Sequence, residues 1–297
     1  MADGARGVDF DPDRLREKYK AERDKRLRAD GNEQYVEVRD EYAGYVDDPY
    51  IDEKVERAPL TDEVDVIVVG GGFGGLLAGA RLREAGIKQI RMIEKGGDFG
   101  GTWYWNRYPG AQCDTASMIY MPLLEETGHM PSEKYAHAPE IRDHCSAIGR
   151  QYGLYDNALF HTQVTDLAWD ETRQLWIVRT DRGDEFTAKY VGMGTGPLHV
   201  AKLPGLPGIE LFEGKSFHTS RWDYGYTGGT PEGEPMTGLA DKRVAVIGTG
   251  ATAVQVVPNV ARDAKELLVF QRTPSSVDER NNRPLTRDWF DAVAEPG

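Results

Sequence analysis

Cysteine and long apolar stretches are both scarce in this chain of 297 residues. Cys113 and Cys145 are its only cysteines, too few and too far apart in sequence for a disulfide framework or a metal motif. No apolar run approaches the ~20 residues that cross a bilayer, and no apolar segment of a secretory signal is visible near the N-terminus. We therefore expect a cytoplasmic protein of a reducing compartment, with no membrane partner and no metal site.

Positive charge is also in short supply. Lysine and arginine total 36 against 49 aspartates and glutamates, which gives a formal net charge of −13. Nucleic acids and anionic membranes attract cationic surfaces, so neither is expected as a partner. Apolar residues make up 39% of the chain, enough for a sizeable core, and the length favours two domains.

The segment 1–60 differs in composition from the rest of the chain. A charged helix is predicted over 11–30, with Asp11 or Asp13 as its N-cap and Gly31 just beyond its end. This helix could bury only a thin apolar stripe, and the tyrosine-containing arm after it looks like a segment lying over the main body. We interpret the segment 1–60 as a solvated extension without chemistry.

Two β-α-β patterns follow the extension. The apolar run 64–69 is bounded by glycines and is typical of a strand buried on both faces. Pro258 lies inside the helix of the second pattern, where it should kink that helix or end it early. The predicted elements are strand 64–69, helix 73–85, strand 89–93, helix 140–152, strands 163–169, 175–180 and 185–191, strand 243–247, helix 251–262, strand 266–270 and a short helix from 288.

The first glycine-rich turn reads Gly70-x-Gly72-x-x-Gly75 and opens a helix directly after a strand. The first glycine allows the tight turn, the second lets the backbone approach a pyrophosphate, and the third lets helix and strand pack closely. The helix N-terminus supplies N–H donors for that pyrophosphate. Glu94 ends the second strand of the unit, at the distance from Gly70 where a carboxylate accepts a hydrogen bond from a ribose 2′-OH. This turn is therefore predicted to bind FAD or NAD.

The second turn reads Gly248-x-Gly250-x-x-Ala253, and Arg272 lies as far after Gly248 as Glu94 lies after Gly70. A carboxylate at this position would repel a 2′-phosphate, whereas an arginine pairs with it by charge-assisted hydrogen bonds. The second turn is therefore predicted to bind NADP. The candidate residues are Gly248, Thr249, Gly250, Ala251, Thr252, Arg272 and Thr273, the last as a hydroxyl donor to the same phosphate.

The fold class expected from these patterns is α/β, with two dinucleotide-binding, Rossmann-like three-layer domains. We predict an FAD-binding domain over 61–204, a linker over 205–240 and an NADP-binding domain over 241–297. Only the short stretch 271–297 follows Phe270, and a doubly wound domain needs several more strands than it can hold. We therefore expect the second domain to be incomplete and the chain to be an N-terminal fragment of a longer protein.

Two further strings carry a family resemblance. The string Phe212-x-Gly214-x-x-x-His218-x-x-x-Trp222-Asp223 lies between the two turns, and Gly100–Asp114 contains Gly101-x-Trp103 and Tyr108-Pro109-Gly110 before Asp114. Both resemble the signatures of Baeyer–Villiger monooxygenases, with Asp223 in place of the more frequent proline. Flavin-containing and N-hydroxylating monooxygenases resemble the layout but lack the tryptophan string. The extension and the 133–137 run look most like the branch that acts on large cyclic ketones and steroids.

The resemblance implies FAD and NADPH as cofactors, with a ketone and O2 as substrates and an ester or lactone as product. It implies that Trp103, Thr102 and Tyr120 contact the flavin and that Asp114 lies beside its ring. The linker signature contains Phe212, Gly214, His218 and Trp222, and the resemblance implies that His218 and Trp222 couple the motion of the two domains rather than perform chemistry. The positions expected around FAD are Gly70, Gly72, Phe73, Gly74, Gly75, Glu94, Gly101, Thr102, Trp103, Asp114, Tyr120 and Val164.

One part of the family's active site has no match in the sequence. An arginine that stabilises a reactive oxygen anion, partnered by the carboxylate that Asp114 matches, comes from far downstream of the second turn in the family. Arg280 and Arg283 lie too close to Arg272 in sequence to take that role, so we expect this chain to be inactive or impaired by itself. Two alternatives stay open at this point: a reductase or oxidase that releases hydrogen peroxide, and a non-catalytic FAD-binding module. The sequence leaves the oligomeric state open.

Overall fold

The computed structural model describes residues 11–38, 45, 47–51 and 56–293. Its strands follow the predicted α/β order, and ten are found in the described part of the chain. They are β1 (Tyr35–Glu37), β2 (Thr61–Val69), β3 (Ile90–Ile93), β4 (Ala158–Leu159), β5 (Val164–Asp170), β6 (Leu175–Thr180), β7 (Glu185–Met193), β8 (Lys202–Pro204), β9 (Arg243–Ile247) and β10 (Glu266–Phe270).

A helix begins directly after each of the two predicted glycine turns, and further helices lie elsewhere in the described chain. Within the described ranges they are α1 (Pro12–Asp24), α2 (Phe73–Glu84), α3 (Thr102–Trp105), α4 (Ser117–Tyr120), α5 (Leu124–Thr127), α6 (Ala138–Gln151), α7 (Tyr224–Thr227), α8 (Ala251–Asp263) and α9 (Arg287–Val293). Among the residues described, no helix is both long and apolar enough to cross a membrane.

The first unit is built on a six-stranded sheet of order β4-β3-β2-β7-β6-β5. Strands β4, β3, β2 and β7 are parallel, and β7, β6 and β5 form an antiparallel meander. Val66 and Val68 of β2 pack in one apolar cluster with Leu76 of α2, while Ile67 packs in another with Phe186 of β7. The prediction that β2 is buried on both faces is confirmed, and each such side chain contributes roughly 1.5–3 kcal/mol to the free energy of folding.

The second unit has the same local order but a smaller sheet. Strand β9 pairs in parallel with β10, and α8 connects them. The side chains of Ile247 and Phe270, 59% and 55% exposed, leave part of this sheet uncovered by the described residues.

An apolar cluster joins the two units. It contains Trp103 and Ile141 from the first unit, Trp222 from the segment between the units, and Val256 and Val260 of α8. The two units therefore share a core as well as a peptide connection.

Helix α1 begins as predicted but ends early. The Asp11 carboxylate caps it by accepting from the N–H groups of Asp13 and Arg14, at 2.9 and 3.2 Å. The helix ends at Asp24 rather than at Asp30, so that part of the prediction is wrong. None of its residues is buried, so no packing stabilises further turns.

Pro258 does not end α8 early, so that one of the two effects expected of it is wrong. The helix continues to Asp263. Val256 and Val260 flank the proline and are completely buried, so packing on both sides of Pro258 holds the helix together despite the missing N–H.

The interpretation of the segment 1–60 as merely solvated is also wrong for part of the extension. Strand β1 pairs antiparallel with β8, and the Tyr50 hydroxyl accepts from the Trp222 N–H at 3.1 Å. The same hydroxyl donates to the carbonyl of Trp105 at 3.3 Å, and burial raises the pKa of Tyr50 to about 12. Tyr42 lies outside the described residues.

Candidate functional site

A cavity of about 520 Å³ opens at the carboxyl ends of β2, β3 and β7. This is the edge of a parallel sheet where ligands bind in open α/β folds. Ten of the positions predicted for FAD line the cavity; Gly75 and Asp114 do not. The lining positions are Gly70, Gly72, Phe73, Gly74, Glu94, Gly101, Thr102, Trp103, Tyr120 and Val164.

The glycines of the first turn leave no room for side chains. Gly70 has φ +105°, and a Cβ on Gly75 would overlap the Gly70 carbonyl oxygen, so the third glycine allows α2 to start close to β2. A Cβ on Gly101 would lie 2.6 Å from the Gly72 Cα. The first turn and Gly101 thus meet backbone to backbone beside the cavity, and Gly72, the N-cap of α2, offers no side chain to the first N–H groups of that helix.

Glu94 lies at the cavity wall and is bound to the turn itself. Its Oε2 accepts from the Gly71 N–H at 2.5 Å and its Oε1 from the Gly96 N–H at 2.6 Å. Burial raises the pKa of Glu94, while these backbone N–H groups act in the opposite direction. A carboxylate has about four lone-pair directions, so two remain for hydroxyl donors from the cavity.

The structure adds lining residues that sequence reasoning missed. Lys95 follows Glu94 and donates to the His199 carbonyl at 3.3 Å, and burial followed by repulsion from Arg221 lowers the pKa of Lys95. The turn 194–196, Gly-Thr-Gly directly after β7, also lines the cavity. A glycine-rich turn after a predicted parallel strand was the available signal for these residues.

Asp114 lies outside the cavity and is exposed. Its carboxylate lies 3.2 Å from the Arg280 guanidinium, which also donates to the Asp114 carbonyl. Arg280 therefore contacts Asp114, although its closeness to Arg272 in sequence argued against such a role. The segment that carries Arg280 is also held by a hydrogen bond of 2.9 Å from the Lys134 N–H to the Arg283 carbonyl. The pair is exposed, so it does not form a dry site around an anion.

The second turn is closed by the loop that follows β10. Gly248 has φ +108°, and Thr249 Oγ1 donates to the Thr273 carbonyl at 3.0 Å. Gly250 is the N-cap of α8 and provides no side-chain cap. Arg272 is exposed, and its guanidinium donates to Gln34 Oε1 and, at 3.0 Å, to the Tyr35 hydroxyl. Ala251 and Thr252 form the first turn of α8, as predicted.

The tryptophan string lies between the units. The Trp222 side chain is buried and donates to Thr227 Oγ1 at 3.2 Å. His218 caps a short 3-10 helix by accepting from the Ser220 N–H at 3.1 Å, and burial, with Arg221 second, lowers the pKa of His218. Phe212 is exposed, and a Cβ on Gly214 would clash with its ring.

The second signature forms the contact with α8. The Tyr108 hydroxyl donates to Gln255 Oε1 at 2.9 Å, and Gln255 Nε2 donates to the Gln112 carbonyl at 2.8 Å. Gly110 has φ +79°, and a Cβ there would lie 3.0 Å from the Gln255 carbonyl oxygen. Residues of this signature therefore form part of the contact between the two units. Gln255 was missed because no local pattern marks it.

The structure contains two β-α-β units, each with a glycine turn between its first strand and its helix. This arrangement is typical of proteins with two dinucleotide-binding domains. A profile of NAD(P)-binding Rossmann-like domains matches residues 68–130. A Baeyer–Villiger monooxygenase of Streptomyces coelicolor is 58% identical over 272 residues, 92% of this chain and 45% of the relative. Over the length that it shares with them the chain is similar to the Baeyer–Villiger monooxygenases, and it spans about half the length of the curated relatives it matches.

Solved structures agree with this relationship. The polycyclic ketone monooxygenase of Thermothelomyces thermophila matches with a TM-score of 0.89 and 42% identity, over 96% of this chain and 48% of that one. A complex of OTEMO with FAD and NADP matches with a TM-score of 0.69 and 37% identity, over 80% of this chain and 43% of that one.

Proposed function

We propose that this chain forms the FAD-binding part, and the beginning of the NADPH-binding part, of an enzyme that converts a ketone to an ester or lactone with O2. The observation that carries the proposal is the gathering of ten predicted FAD positions around one cavity. The divisions at residues 61, 205 and 241 belong to the same proposal, as do the site residues. Relatives named as Baeyer–Villiger monooxygenases favour this activity over a peroxide-releasing oxidase or a non-catalytic module.

The first site fits FAD in its chemistry. The N-terminus of α2 offers backbone N–H donors to a pyrophosphate, and the close approach of Gly72 and Gly101 keeps side chains away from it. The free lone pairs of Glu94 suit ribose hydroxyls. When bound, FAD supplies the two-electron redox chemistry with NADPH and O2.

Aromatic side chains close the other side of the cavity. Trp103 is buried, donates from Nε1 to the Tyr120 hydroxyl at 2.9 Å, and packs edge-on to that ring. Phe73 packs edge-on to Tyr120 from the first turn of α2. We assign to these three side chains the role of excluding water from the flavin ring. To Asp114 we assign the binding of the downstream arginine that the family resemblance implies.

The second site fits NADPH better than NADH. Arg272 presents a permanent cation just after β10, while the equivalent position of the first site holds Glu94. A 2′-phosphate would be attracted to Arg272 and repelled by a carboxylate. The structural neighbour named for polycyclic ketones supports a large cyclic ketone as substrate.

The test begins with the 297-residue chain. We expect it to purify with bound flavin, seen by absorbance, and to give hydrogen peroxide but no lactone when supplied with NADPH and O2. Joined to the downstream half of the Streptomyces coelicolor relative, the chain should form lactone from a large cyclic ketone, measured by gas chromatography.

Asp114→Ala in that joined protein should abolish lactone formation while FAD stays bound. Asp143→Ala, which removes an exposed carboxylate of α6, is the control and should retain activity. Lactone formation by the Asp114 variant at the native rate would refute the role given to Asp114. A folded chain without flavin would refute the proposed function.

A further inference from the structure

The N-terminal extension reaches the second site at Arg272, 238 residues from Gln34 in sequence. The guanidinium donates through one terminal nitrogen to Gln34 Oε1 and through the other to the Tyr35 hydroxyl, at 3.0 Å. The Arg272 guanidinium carbon also lies 5.8 Å from the centre of the Tyr35 ring, within range of a cation–π interaction. Two neighbouring residues of the extension thus contact both ends of one guanidinium.

The backbone around Gln34 and Tyr35 is fixed by strand pairing. Tyr35 lies opposite Pro204 in the β1–β8 ladder, and the Gly205 N–H donates to the Gln34 carbonyl at 2.9 Å. A Cβ on Gly205 would lie 2.8 Å from that carbonyl oxygen, so the close approach depends on glycine. The extension is held against the segment that precedes the second unit.

The Gln34 amide is also oriented. Its Nε2 donates to the Gly31 carbonyl, which leaves Oε1 facing Arg272 as an acceptor. Tyr35 accepts from Arg272 with its hydroxyl oxygen, and no described residue accepts the hydroxyl proton. That proton is available to an anion bound beside the guanidinium.

Both partners of Arg272 are neutral, which matters for its charge. A carboxylate in either place would cancel the cation, whereas an amide and a phenol hold the side chain without reducing its attraction for a phosphate. Arginine has five N–H donors, so several remain after these two contacts. A long side chain that is already ordered loses less rotamer freedom when a ligand binds.

We propose that Gln34 and Tyr35 are positioning residues that hold Arg272 for the 2′-phosphate, so that the N-terminal extension sets the preference for NADPH over NADH. The inference rests on the proposed function of the second site. It assigns to the extension a part in cofactor selection, with Tyr35 adding a hydroxyl donor next to the guanidinium.

The experiment measures two nucleotides that differ only in the phosphate of interest. Isothermal titration calorimetry on the 297-residue chain would compare adenosine 2′,5′-bisphosphate with adenosine 5′-monophosphate. Tyr35→Phe keeps the ring and removes one neutral hydrogen bond, so it should weaken binding of the bisphosphate roughly three- to tenfold. Gln34→Glu places a carboxylate against Arg272 and should weaken the bisphosphate more than tenfold, on the order of one charge-assisted contact.

Binding of the monophosphate should not change in either variant, which also reports that the site is folded. Tyr19→Phe, on the exposed face of α1, removes a hydroxyl from the same extension and should change neither affinity. If Tyr35→Phe and Gln34→Glu both kept the native preference for the bisphosphate while Arg272→Ala lost it, the inference would be overturned. The proposed function of the second site would still stand. A native chain that binds both nucleotides equally, or neither, would overturn the second site and the inference together.

Discussion

Gly72 touches Gly101 at the point where the first turn faces the cavity. Its backbone is extended, with φ −81° and ψ −172°, so a larger residue there is limited by space and not by conformation. A Cβ would already lie 3.3 Å from the Gly101 Cα, and the branches of valine would add bulk where we propose that the pyrophosphate binds. We predict that Gly72→Val purifies as a folded but colourless protein, measured by flavin absorbance and circular dichroism.

Gly250 gives the matched control for that prediction. It is the N-cap glycine of α8, with φ −75° and ψ −172°, and a Cβ there meets no described atom within 4 Å. Gly250→Val should keep its flavin and lose affinity for NADPH. Stoichiometric FAD in folded Gly72→Val would contradict the assignment of the first turn.

Arg272 carries the second residue-scale prediction. Loss of one charge-assisted contact is worth about 1.5–3 kcal/mol, so Arg272→Ala should weaken NADPH roughly ten- to a hundredfold. NADH should bind nearly as before, because it lacks the 2′-phosphate. Arg243→Ala is the control, because it removes an exposed guanidinium that pairs with Glu266 in the same unit. This variant should bind NADPH and NADH with the native dissociation constants. Equal losses of NADPH and NADH in Arg272→Ala would assign it another role.

At the scale of elements, an ion pair fixes the point where the extension enters β2. The Arg57 guanidinium donates to both oxygens of the buried Asp184 carboxylate, at 2.5 and 2.6 Å. Thr180 Oγ1 and the Leu60 N–H donate to the same carboxylate at 2.6 and 2.8 Å. Burial alone would raise the pKa of Asp184, but these hydrogen bonds outweigh it and hold the pKa at about 2.

The stability of the fold should depend on pH through this pair. Because the folded-state pKa lies below the unfolded value of about 3.9, the stabilisation is present above pH ~4 and is lost as the pH falls toward 2. We predict that Asp184→Asn lowers the free energy of unfolding by about 2 kcal/mol at pH 7 and by less at pH 3. Urea denaturation followed by tryptophan fluorescence measures both values.

Asp166→Asn provides the control at the same sheet. Asp166 is an exposed carboxylate of β5 that pairs with Arg179 at 2.9 Å, and exposed pairs contribute little. Its substitution should change stability by less than about 1 kcal/mol at either pH. If Asp184→Asn lowered the free energy of unfolding equally at pH 7 and pH 3, the ionisation of Asp184 would be ruled out as the cause of that loss.

Elements that carry their own periodicity could be predicted from the sequence, and contacts between distant segments could not. Strand β2, helix α2 and strand β3 follow from a buried apolar run, a glycine turn and a second short run. The end of α1 and the course of α8 past Pro258 depend on what packs against them, which no local pattern reveals. The contacts of Arg280 with Asp114 and of Gln255 with the second signature join segments that are far apart in sequence.

At the scale of the whole molecule, the exposed apolar side chains on the β9–β10 sheet of the second unit should affect how the chain associates. Ile247 and Phe270 end the two strands of its sheet and are largely exposed. Unpaired strand edges and apolar patches favour association with another chain. We predict that the 297-residue chain binds a hydrophobic dye such as ANS and self-associates as its concentration rises, followed by fluorescence and light scattering.

Replacing Ile247 and Phe270 together by threonine should reduce both signals while the flavin content stays the same, because β-branched threonine keeps the strand preference. Leu211→Thr removes a similarly exposed apolar side chain from the segment between the units and should have little effect. Undiminished dye binding in the double variant would show that the apolar surface responsible lies elsewhere in the molecule.

The contacts of Tyr35 and Tyr50 bear on how chimeras of related enzymes should be cut. Tyr50 bonds to Trp222 and to the backbone of Trp105, and Tyr35 bonds to Arg272, so this N-terminal stretch fits the middle and later parts of the chain. A crossover placed before β2 would exchange the stretch without its partners. Parents that differ in these tyrosines or in their partners should recombine better when the N-terminal stretch through Ile51 is inherited together with the segment from β8 to Thr273.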